Sequence, residues 1–167
     1  MGIDVSKMHV ESRPGLFEFV FEPTWGITTA DNMVLFRQCV REMARKEGMQ
    51  PTFLTSIDPT SGTHDNECHF NHSLWDIKHQ KNLFWDENSD TRGMSKVMQH
   101  WIAGIIKHSR ALTALCSPTV NCYRRFGQRF SPGSADWGYD DRNAMLRLRT
   151  GSHDEMCIES RLCSGAV

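Results

Sequence analysis

The sequence lacks an excess of charge of either sign. Among its 167 residues, Lys and Arg total 19 and Asp and Glu total 20, so the net charge is −1 with neutral histidines. Domains that bind nucleic acid or anionic membranes usually carry a basic surplus. No stretch approaches the roughly 20 consecutive apolar residues of a membrane span, and the first residues lack the basic and apolar regions of a secretory signal. The composition therefore predicts a cytoplasmic protein without a nucleic-acid or membrane partner.

The sequence also lacks any C-x-x-C pair. It contains six cysteines: Cys39, Cys68, Cys116, Cys122, Cys157 and Cys163. Their even number allows three bridges, but the chain is too long for a disulfide-stapled mini-domain and shows no export signal. We therefore expect reduced thiols.

Apolar residues are frequent enough to build a core, at 39% of the sequence with nine Phe and five Trp. Phe17, Phe19 and Phe21 alternate with other residues, which predicts a strand that ends at Pro23. Apolar spacing predicts the other elements in this order: a helix over 29–47, strands over 51–56 and 68–75, a polar connection over 78–93, helices over 95–109 and 111–116, an irregular loop over 123–139, and a hairpin of strands 144–149 and 156–161.

Three acids and one histidine at the edges of predicted strands are candidate metal ligands: Glu11, Glu18, Glu159 and His69. Carboxylate oxygens suit Mg²⁺ or Mn²⁺, and one imidazole is compatible with either ion. Spacing alone does not bring these residues together, so ordinary solvent-facing side chains remain the alternative.

A zinc site is a second alternative, because His64, His69 and His72 lie close together in sequence with Asp65. Within one strand, however, His69 and His72 are separated by an odd number of residues and point to opposite faces. The sequence therefore favours zinc less than a hard divalent cation.

The final hairpin carries a cationic face with Arg147 and Arg149, and Arg124, Arg125 and Arg142 precede it. Planar guanidinium groups suit bidentate binding of phosphate. The alternative is a solvated face whose arginines pair with Asp140, Asp141 and Glu155.

Five segments resemble, in the same order, the motifs of the glutamine synthetase family. The first reads Glu11-Ser-Arg-Pro-Gly-Leu-Phe-Glu18 and resembles E-x-x-P-G-Q-(F/Y/W)-E. The second reads His69-Phe-Asn-His-Ser73-Leu-Trp and is similar to H-x-H-x-S-L.

The other three segments lie in the last third of the chain. Asn121-Cys-Tyr-Arg-Arg125 resembles N-(S/T)-Y-(K/R)-R, and Asp141-Arg142-Asn-Ala-Met-Leu-Arg147 resembles N-R-S-A-x-x-R. Ile158-Glu159-Ser-Arg161 resembles (I/V)-E-x-R. The five motifs span almost the whole chain.

The resemblance implies a role for each matching residue. Glu11, Glu18, His69 and Glu159 would bind metal. Ser73, Arg142 and Arg147 would bind nucleotide or its phosphates. Arg125 and Arg161 would contact the acid substrate, and Arg125 and Arg142 would also act in catalysis on the phosphoryl group.

The resemblance further implies a fold and a reaction. In this family ATP is the substrate that phosphorylates the γ-carboxylate of glutamate, Mg²⁺ or Mn²⁺ neutralises the phosphoryl charge, and ammonia attacks the acyl phosphate. The implied fold is α+β, a curved antiparallel sheet with flanking helices that forms part of the glutamine synthetase catalytic barrel. Residues 1–167 would be a partial catalytic domain without the N-terminal β-grasp domain and the C-terminal end, and the full-length protein would form a homo-oligomer.

Several positions depart from the family pattern. The glycine-rich N-G-(S/T)-G before the first motif histidine is replaced by residues 64–67, so a glutamate substrate would meet two new carboxylates, Asp65 and Glu67. The second motif histidine is Asn71, and residues 126–139 contain no glutamate where the family has a flap glutamate that takes a proton from ammonium.

These departures resemble the lengsin branch of the family, the glutamine-synthetase-like proteins of the vertebrate lens and their invertebrate relatives. They imply impaired ligation and a structural or chaperone-like role with cytoskeletal intermediate filaments as partners. An active ATP-dependent ligase that joins glutamate and ammonia, or another carboxylate and amine, is the alternative.

Overall fold

The structure is a computed structural model that describes residues 2–58, 60 and 66–166. The chain forms two compact units, Met1–Phe53 and Leu54–Val167, which are described separately below. His64 and Asp65 lie outside the described residues. The zinc alternative depends on both residues, and Asp65 is one of the two new carboxylates, so these two predictions also lie outside the described part of the chain. None of the helices in the described part of the chain has the length and apolar character needed to cross a membrane.

The first unit is a hairpin followed by a long helix. Strands β1 (Val5–Val10) and β2 (Phe17–Phe21) pair antiparallel, and helix α1 spans Thr28–Lys46. Gly15 turns the chain between the strands with φ +78°, a conformation that suits glycine. The ring of Phe36 on α1 packs edge-on against Phe19 and Phe21, with centroid distances of 4.9 and 5.0 Å. The predicted strand and helix are both confirmed.

The second unit contains the remaining elements. In chain order they are strands β3 (Phe70–His72), β4 (Trp75–Asp76) and β5 (Lys81–Asn82), helices α2 (Lys96–Lys107) and α3 (Ser109–Cys116), a 3₁₀ turn at Val120–Arg125, and strands β6 (Trp137–Tyr139), β7 (Leu146–Arg149) and β8 (Cys157–Ser160).

A four-stranded sheet with the order β3-β8-β7-β6 organises the second unit. Its β3–β8 and β7–β8 pairs are antiparallel, which confirms the predicted final hairpin. The β6–β7 pair at one edge is parallel. The fold is therefore α+β as predicted, with one parallel pair in an otherwise antiparallel sheet.

The core of the second unit lies between this sheet and the helices. Its fully buried members are Phe84, Met98, Leu146, Leu148, Met156 and Ile158. The hydroxyl of Ser95 begins α2 by accepting a hydrogen bond from the amide of Met98 at 3.1 Å. The apolar spacing of this helix predicts that Val97, Met98, Trp101, Ile102 and Ile105 face the core. Met98 and Ile102 are buried, but Val97 and Trp101 remain 43% and 40% exposed. The buried face of α2 is therefore narrower than its spacing predicts.

Three segments differ from the predictions. The strand expected over 51–56 is wrong, because the side chain of Asn121 binds the main chain there instead: Ser56 donates to Oδ1 at 3.1 Å and accepts from Nδ2 at 2.7 Å. The predicted polar connection over 78–93 contains β5 and the fully buried Phe84. The predicted irregular loop over 123–139 ends in β6, whose parallel pairing depends on a partner that local sequence does not reveal.

Candidate functional site

Three side chains of the first unit converge at one end of its hairpin. His9 and Glu18 face each other across the two strands, and Glu11 follows β1 directly. The Nε2 atom of His9 lies 3.3 Å from Oε1 of Glu11 and 3.6 Å from Oε2 of Glu18. One ligand atom from each residue lies within 4.8 Å of the other two. We call these three residues the hairpin triad.

The hairpin triad presents a donor set for a hard divalent cation. The pKa of Glu11 is lowered, first because its carboxyl group shares a hydrogen bond with Glu18. The amide of Ser12 and the charge of His9 lower it further, whereas burial opposes the shift. Glu11 is therefore ionised at neutral pH, and the oxygens of two glutamates with the nitrogen of one imidazole form a donor set that fits Mg²⁺ or Mn²⁺.

The sequence predicts two of the three triad residues and misses His9. The signal is present in the chain, because His9 and Glu11 are two residues apart and side chains at that spacing share one face of a strand. The register of the hairpin then places Glu18 opposite His9.

Five of the predicted site residues meet in the second unit: His69, Arg125, Arg147, Glu159 and Arg161. Arg147 on β7 faces Glu159 on β8, and its Nη1 lies 3.1 Å from Oε2 of that carboxylate. Arg161 also pairs with Glu159, and Nδ1 of His69 lies 3.8 Å from its Oε1. Glu159 and Arg161 are only 5% and 4% exposed. Buried charges persist only when they are paired, so these contacts fix the geometry.

Glu67 joins the same group from the segment before β3. Its Oε2 atom lies 2.7 Å from Nε2 of His69 and 3.6 Å from Nη2 of Arg161, and its Oε1 atom lies 3.4 Å from Nη1 of Arg125. Asp140 completes the group by accepting from Arg147 at 3.1 Å. We call this set the charged cluster: Glu67, His69, Arg125, Asp140, Arg147, Glu159 and Arg161.

Arg125 is the most deeply buried member of the charged cluster, with no exposed surface. Its Nη1 atom donates to the hydroxyl of Ser131 and to the carbonyl of Arg161, both at 3.0 Å, and its Nη2 atom donates to the carbonyl of Leu162. Burial lowers the pKa of the guanidinium group, and the charge of Glu67 opposes that shift. Arg125 thus holds the main chain at Arg161 and Leu162, directly after β8, through hydrogen bonds to their carbonyls.

Two predicted nucleotide-binding residues lie outside the charged cluster. Ser73 accepts a hydrogen bond from Nε1 of Trp75 at 2.8 Å. Arg142 is exposed in the segment between β6 and β7. Neither side chain forms a hydrogen bond or ion pair with the cluster within the described residues. Their predicted roles therefore stay predictions.

The four predicted metal ligands fall into two pairs, one in each unit. Glu11 and Glu18 belong to the hairpin triad, and His69 and Glu159 belong to the charged cluster. The first pair gains His9 as a further nitrogen donor. The second pair already contacts Arg147, Arg161 and Glu67.

A cysteine pair lies beside Arg125. The amide of Ser164 donates to the carbonyl of Cys116 at 3.0 Å, which brings Cys163 next to the end of α3. A hydrogen bond from Cys163 lowers the pKa of Cys116 to about 7, with a further contribution from the charge of Arg125 and against the effect of burial. The same contact, together with burial, raises the pKa of Cys163.

We expect Cys116 to be the cysteine of this unit that alkylates at the lowest pH. Its reaction with iodoacetamide should rise through about pH 7, because the thiolate is the reacting form. Cys157, whose pKa is raised by burial, should react only at more alkaline pH. Mass spectrometry of peptides labelled across a pH series measures both. Equal labelling of the two residues at every pH would contradict the prediction.

Comparisons with known proteins agree on one family. The family model described as the glutamine synthetase catalytic domain matches residues 1–167. Human lengsin is 32% identical over 172 aligned residues, which cover 99% of this chain and 32% of lengsin. The glutamine synthetase of Rhizobium meliloti (strain 1021) is 34% identical over 164 aligned residues, which cover 94% of this chain and 36% of that protein.

A solved structure gives the same result. The cryo-EM structure of Plasmodium falciparum glutamine synthetase superposes with a TM-score of 0.90 at 28% identity, and the match covers 99% of this chain and 32% of that one. This chain therefore spans about a third of the length of the relatives described here.

Proposed function

The chain belongs to the glutamine synthetase family, and from this premise we propose that it is a lengsin-like member in which the ligation of ammonia to glutamate is impaired. The observation that carries the proposal is that Asp136, the only acid where the family has its flap glutamate, has both carboxylate oxygens hydrogen-bonded. Residues 126–139 contain no glutamate, and Asp136 is their only acid. Its Oδ1 atom accepts from the amide of Met145 at 3.0 Å, and its Oδ2 atom accepts from the hydroxyl of Ser134 at 2.6 Å.

These two hydrogen bonds engage both carboxylate oxygens of Asp136 in local structure. A general base must reach the proton that it removes and hold a pKa suited to that transfer. Asp136 directly precedes β6, and its two hydrogen bonds hold its carboxylate in place there. It is therefore a poor replacement for the flap glutamate. The step that generates free ammonia from ammonium therefore lacks a base in this segment.

The residues that could bind a cation are a separate observation in support of the family relationship. The hairpin triad fits Mg²⁺ or Mn²⁺ by its donor atoms, so His9, Glu11 and Glu18 would hold one ion. His69 and Glu159 would contribute to a second ion, although Arg147 and Arg161 now contact Glu159. When bound, such ions neutralise the negative charge of a phosphoryl group.

The remaining predicted residues would bind the organic substrates. Ser73, Arg142 and Arg147 would hold the nucleotide and phosphates of ATP, and Arg125 and Arg161 would orient the acid. Guanidinium groups suit these oxyanions because they offer paired donors in a fixed plane. Within the described residues, the side chain of Arg142 has no hydrogen bond or ion pair, so it is free to meet a phosphate.

The biological role that follows is structural or chaperone-like. We expect a cytoplasmic homo-oligomer that binds cytoskeletal intermediate filaments. Three observations support this role: the similarity to lengsin, the replacement of the family's glycine-rich segment before His69, and the missing flap glutamate.

An active ATP-dependent carboxylate–amine ligase is the second candidate. The observation that favours it is the retention of every predicted metal ligand, with Glu11 and Glu18 brought together by the hairpin. Both candidates therefore expect cation binding, and only turnover distinguishes them.

The decisive assay is ATP-dependent formation of glutamine from glutamate and ammonium with Mg²⁺ or Mn²⁺. We expect no glutamine above the reaction without protein, because the base that would deprotonate ammonium is missing. The glutamine synthetase of Rhizobium meliloti serves as the positive control. Turnover that requires ATP and is lost in Glu18→Gln would establish the ligase instead.

A further inference from the structure

Glu67 places a carboxylate between two buried guanidinium groups. Its side chain is 11% exposed, against 0% for Arg125 and 5% for the side chain of Arg161. The two oxygens divide the contacts: Oε1 lies 3.4 Å from Nη1 of Arg125, and Oε2 lies 3.6 Å from Nη2 of Arg161. A carboxylate between two guanidinium planes is how arginines hold an acidic ligand. Here the carboxylate belongs to the protein itself.

The charge balance of the cluster depends on Glu67. Three arginines (Arg125, Arg147 and Arg161) face three acids (Glu67, Asp140 and Glu159). Asp140 and Glu159 pair with Arg147 and Arg161, so Glu67 is the only acid within ion-pair distance of Arg125 among the residues that the structure describes. Without Glu67 the cluster would keep one buried positive charge in need of an anion.

The arginines also retain unused donors. The Nε atoms of Arg125 and Arg161 are buried and have no hydrogen-bond partner among the described residues. A buried donor normally finds an acceptor. The cluster therefore offers more hydrogen bonds to an oxyanion than the carboxylate of Glu67 accepts.

We propose that Glu67 is a specificity-determining residue that occupies the anion site of Arg125 and Arg161, so that the protein's own carboxylate excludes carboxylate and phosphate ligands. This inference rests on the proposed function, since it concerns the site that would receive the acid substrate. A dissolved anion must displace a carboxylate that is tethered beside both arginines and therefore competes at a high effective concentration.

The same contacts disfavour a role for Glu67 as a cation ligand. Its Oε2 atom lies 2.7 Å from Nε2 of His69, a geometry that a metal site could also show. However, each oxygen already faces a guanidinium group, and a divalent cation placed there would be repelled by both arginines. Once the charge of Glu67 is removed, an anion is the ligand that the remaining charge favours.

The test is anion binding by Glu67→Gln, which removes the charge and preserves the side-chain shape. Isothermal titration with inorganic phosphate and, separately, with L-glutamate should show affinity for at least one of them that is tighter than in the unmodified chain by about tenfold or more, because a charged competitor is removed. The two arms identify which oxyanion the arginines prefer. Glu87→Gln is the matched control, because it neutralises an exposed glutamate of the same unit and should change neither affinity.

Unchanged affinity for both anions in Glu67→Gln would overturn the proposal, and so would a loss of Mn²⁺ binding without any gain for anions. If Glu67→Gln does not fold, Glu67→Asp carries the test. Its shorter side chain should give a smaller gain than removal of the charge, and no gain would overturn the proposal. The titrations involve neither ATP nor turnover. Glutamine formation from ammonium by the unmodified chain would therefore refute the proposed function without deciding this result.

Discussion

Replacing Arg125 by methionine should destabilise the second unit by about 3–5 kcal/mol, the range found when one partner of a buried charge pair is removed. Arg125 has no exposed surface, and its guanidinium group donates to Ser131 and to the carbonyls of Arg161 and Leu162. Methionine fills much of the volume but removes a donor from both carbonyls, so that of Arg161 loses its hydrogen bond and that of Leu162 keeps only the hydroxyl of Ser117 at 3.2 Å. Glu67 also loses its closest guanidinium contact.

Equilibrium unfolding in urea measures this loss, followed by a spectroscopic signal of the second unit. Arg124→Met is the matched control, because Arg124 is exposed and adjacent in sequence. It should change the free energy of unfolding by no more than about 0.5 kcal/mol. Equal stability of the two variants would show that the hydrogen bonds and ion pair of Arg125 do not stabilise the second unit.

Replacing Glu159 by alanine should be comparably severe, at about 3–5 kcal/mol. Glu159 is 5% exposed and lies between Arg147 and Arg161, so its removal leaves two guanidinium groups facing each other without the charge that separates them. Like charges in a poorly solvated site repel strongly.

The same unfolding experiment tests this prediction, with Glu87→Ala as the control for loss of an exposed glutamate in the same unit. A double variant, Glu159→Ala with Arg147→Met, should recover part of the loss because it removes one of the two guanidinium charges that Glu159 no longer neutralises. Failure of the second substitution to recover any stability would contradict the electrostatic explanation.

The elements with strong periodicity were predictable from sequence. Alternation of residues on the two faces of a strand predicted Phe17–Phe21 and the final hairpin, and apolar residues at 3.6-residue spacing predicted α1 and α2. The parallel β6–β7 pair was not predictable, because a parallel partner lies across a connection and leaves no local pattern.

The site was predictable where strand register determines it. Opposite positions on β7 and β8 bring Arg147 to Glu159, and the hairpin of the first unit brings Glu18 to His9. The alternative of a solvated cationic face is correct in one detail, since Arg147 also pairs with Asp140. Arg149 on the same strand is exposed, as that alternative expects.

The burial of Arg125 and the position of Glu67 could not be read from sequence. Charged residues are seldom fully buried, so an arginine at the end of a polar 3₁₀ turn gives no sign that it lies inside. The contacts of both side chains join segments far apart in sequence: Glu67 before β3, Arg125 after α3, and Arg161 after β8. Such contacts depend on the packed sheet rather than on any local pattern.

We propose that the hairpin triad binds a divalent cation. Titration with Mn²⁺, followed by the electron paramagnetic resonance signal of the free ion, tests it directly. We expect the unmodified chain to bind Mn²⁺ and Glu18→Gln to weaken the tightest site by about tenfold or more, since a charged oxygen ligand is lost. Glu22→Gln, which neutralises an exposed glutamate just beyond β2, should leave that affinity unchanged. Mn²⁺ binding that is absent, or that is equally strong in Glu18→Gln, would show that the hairpin triad is not the cation site.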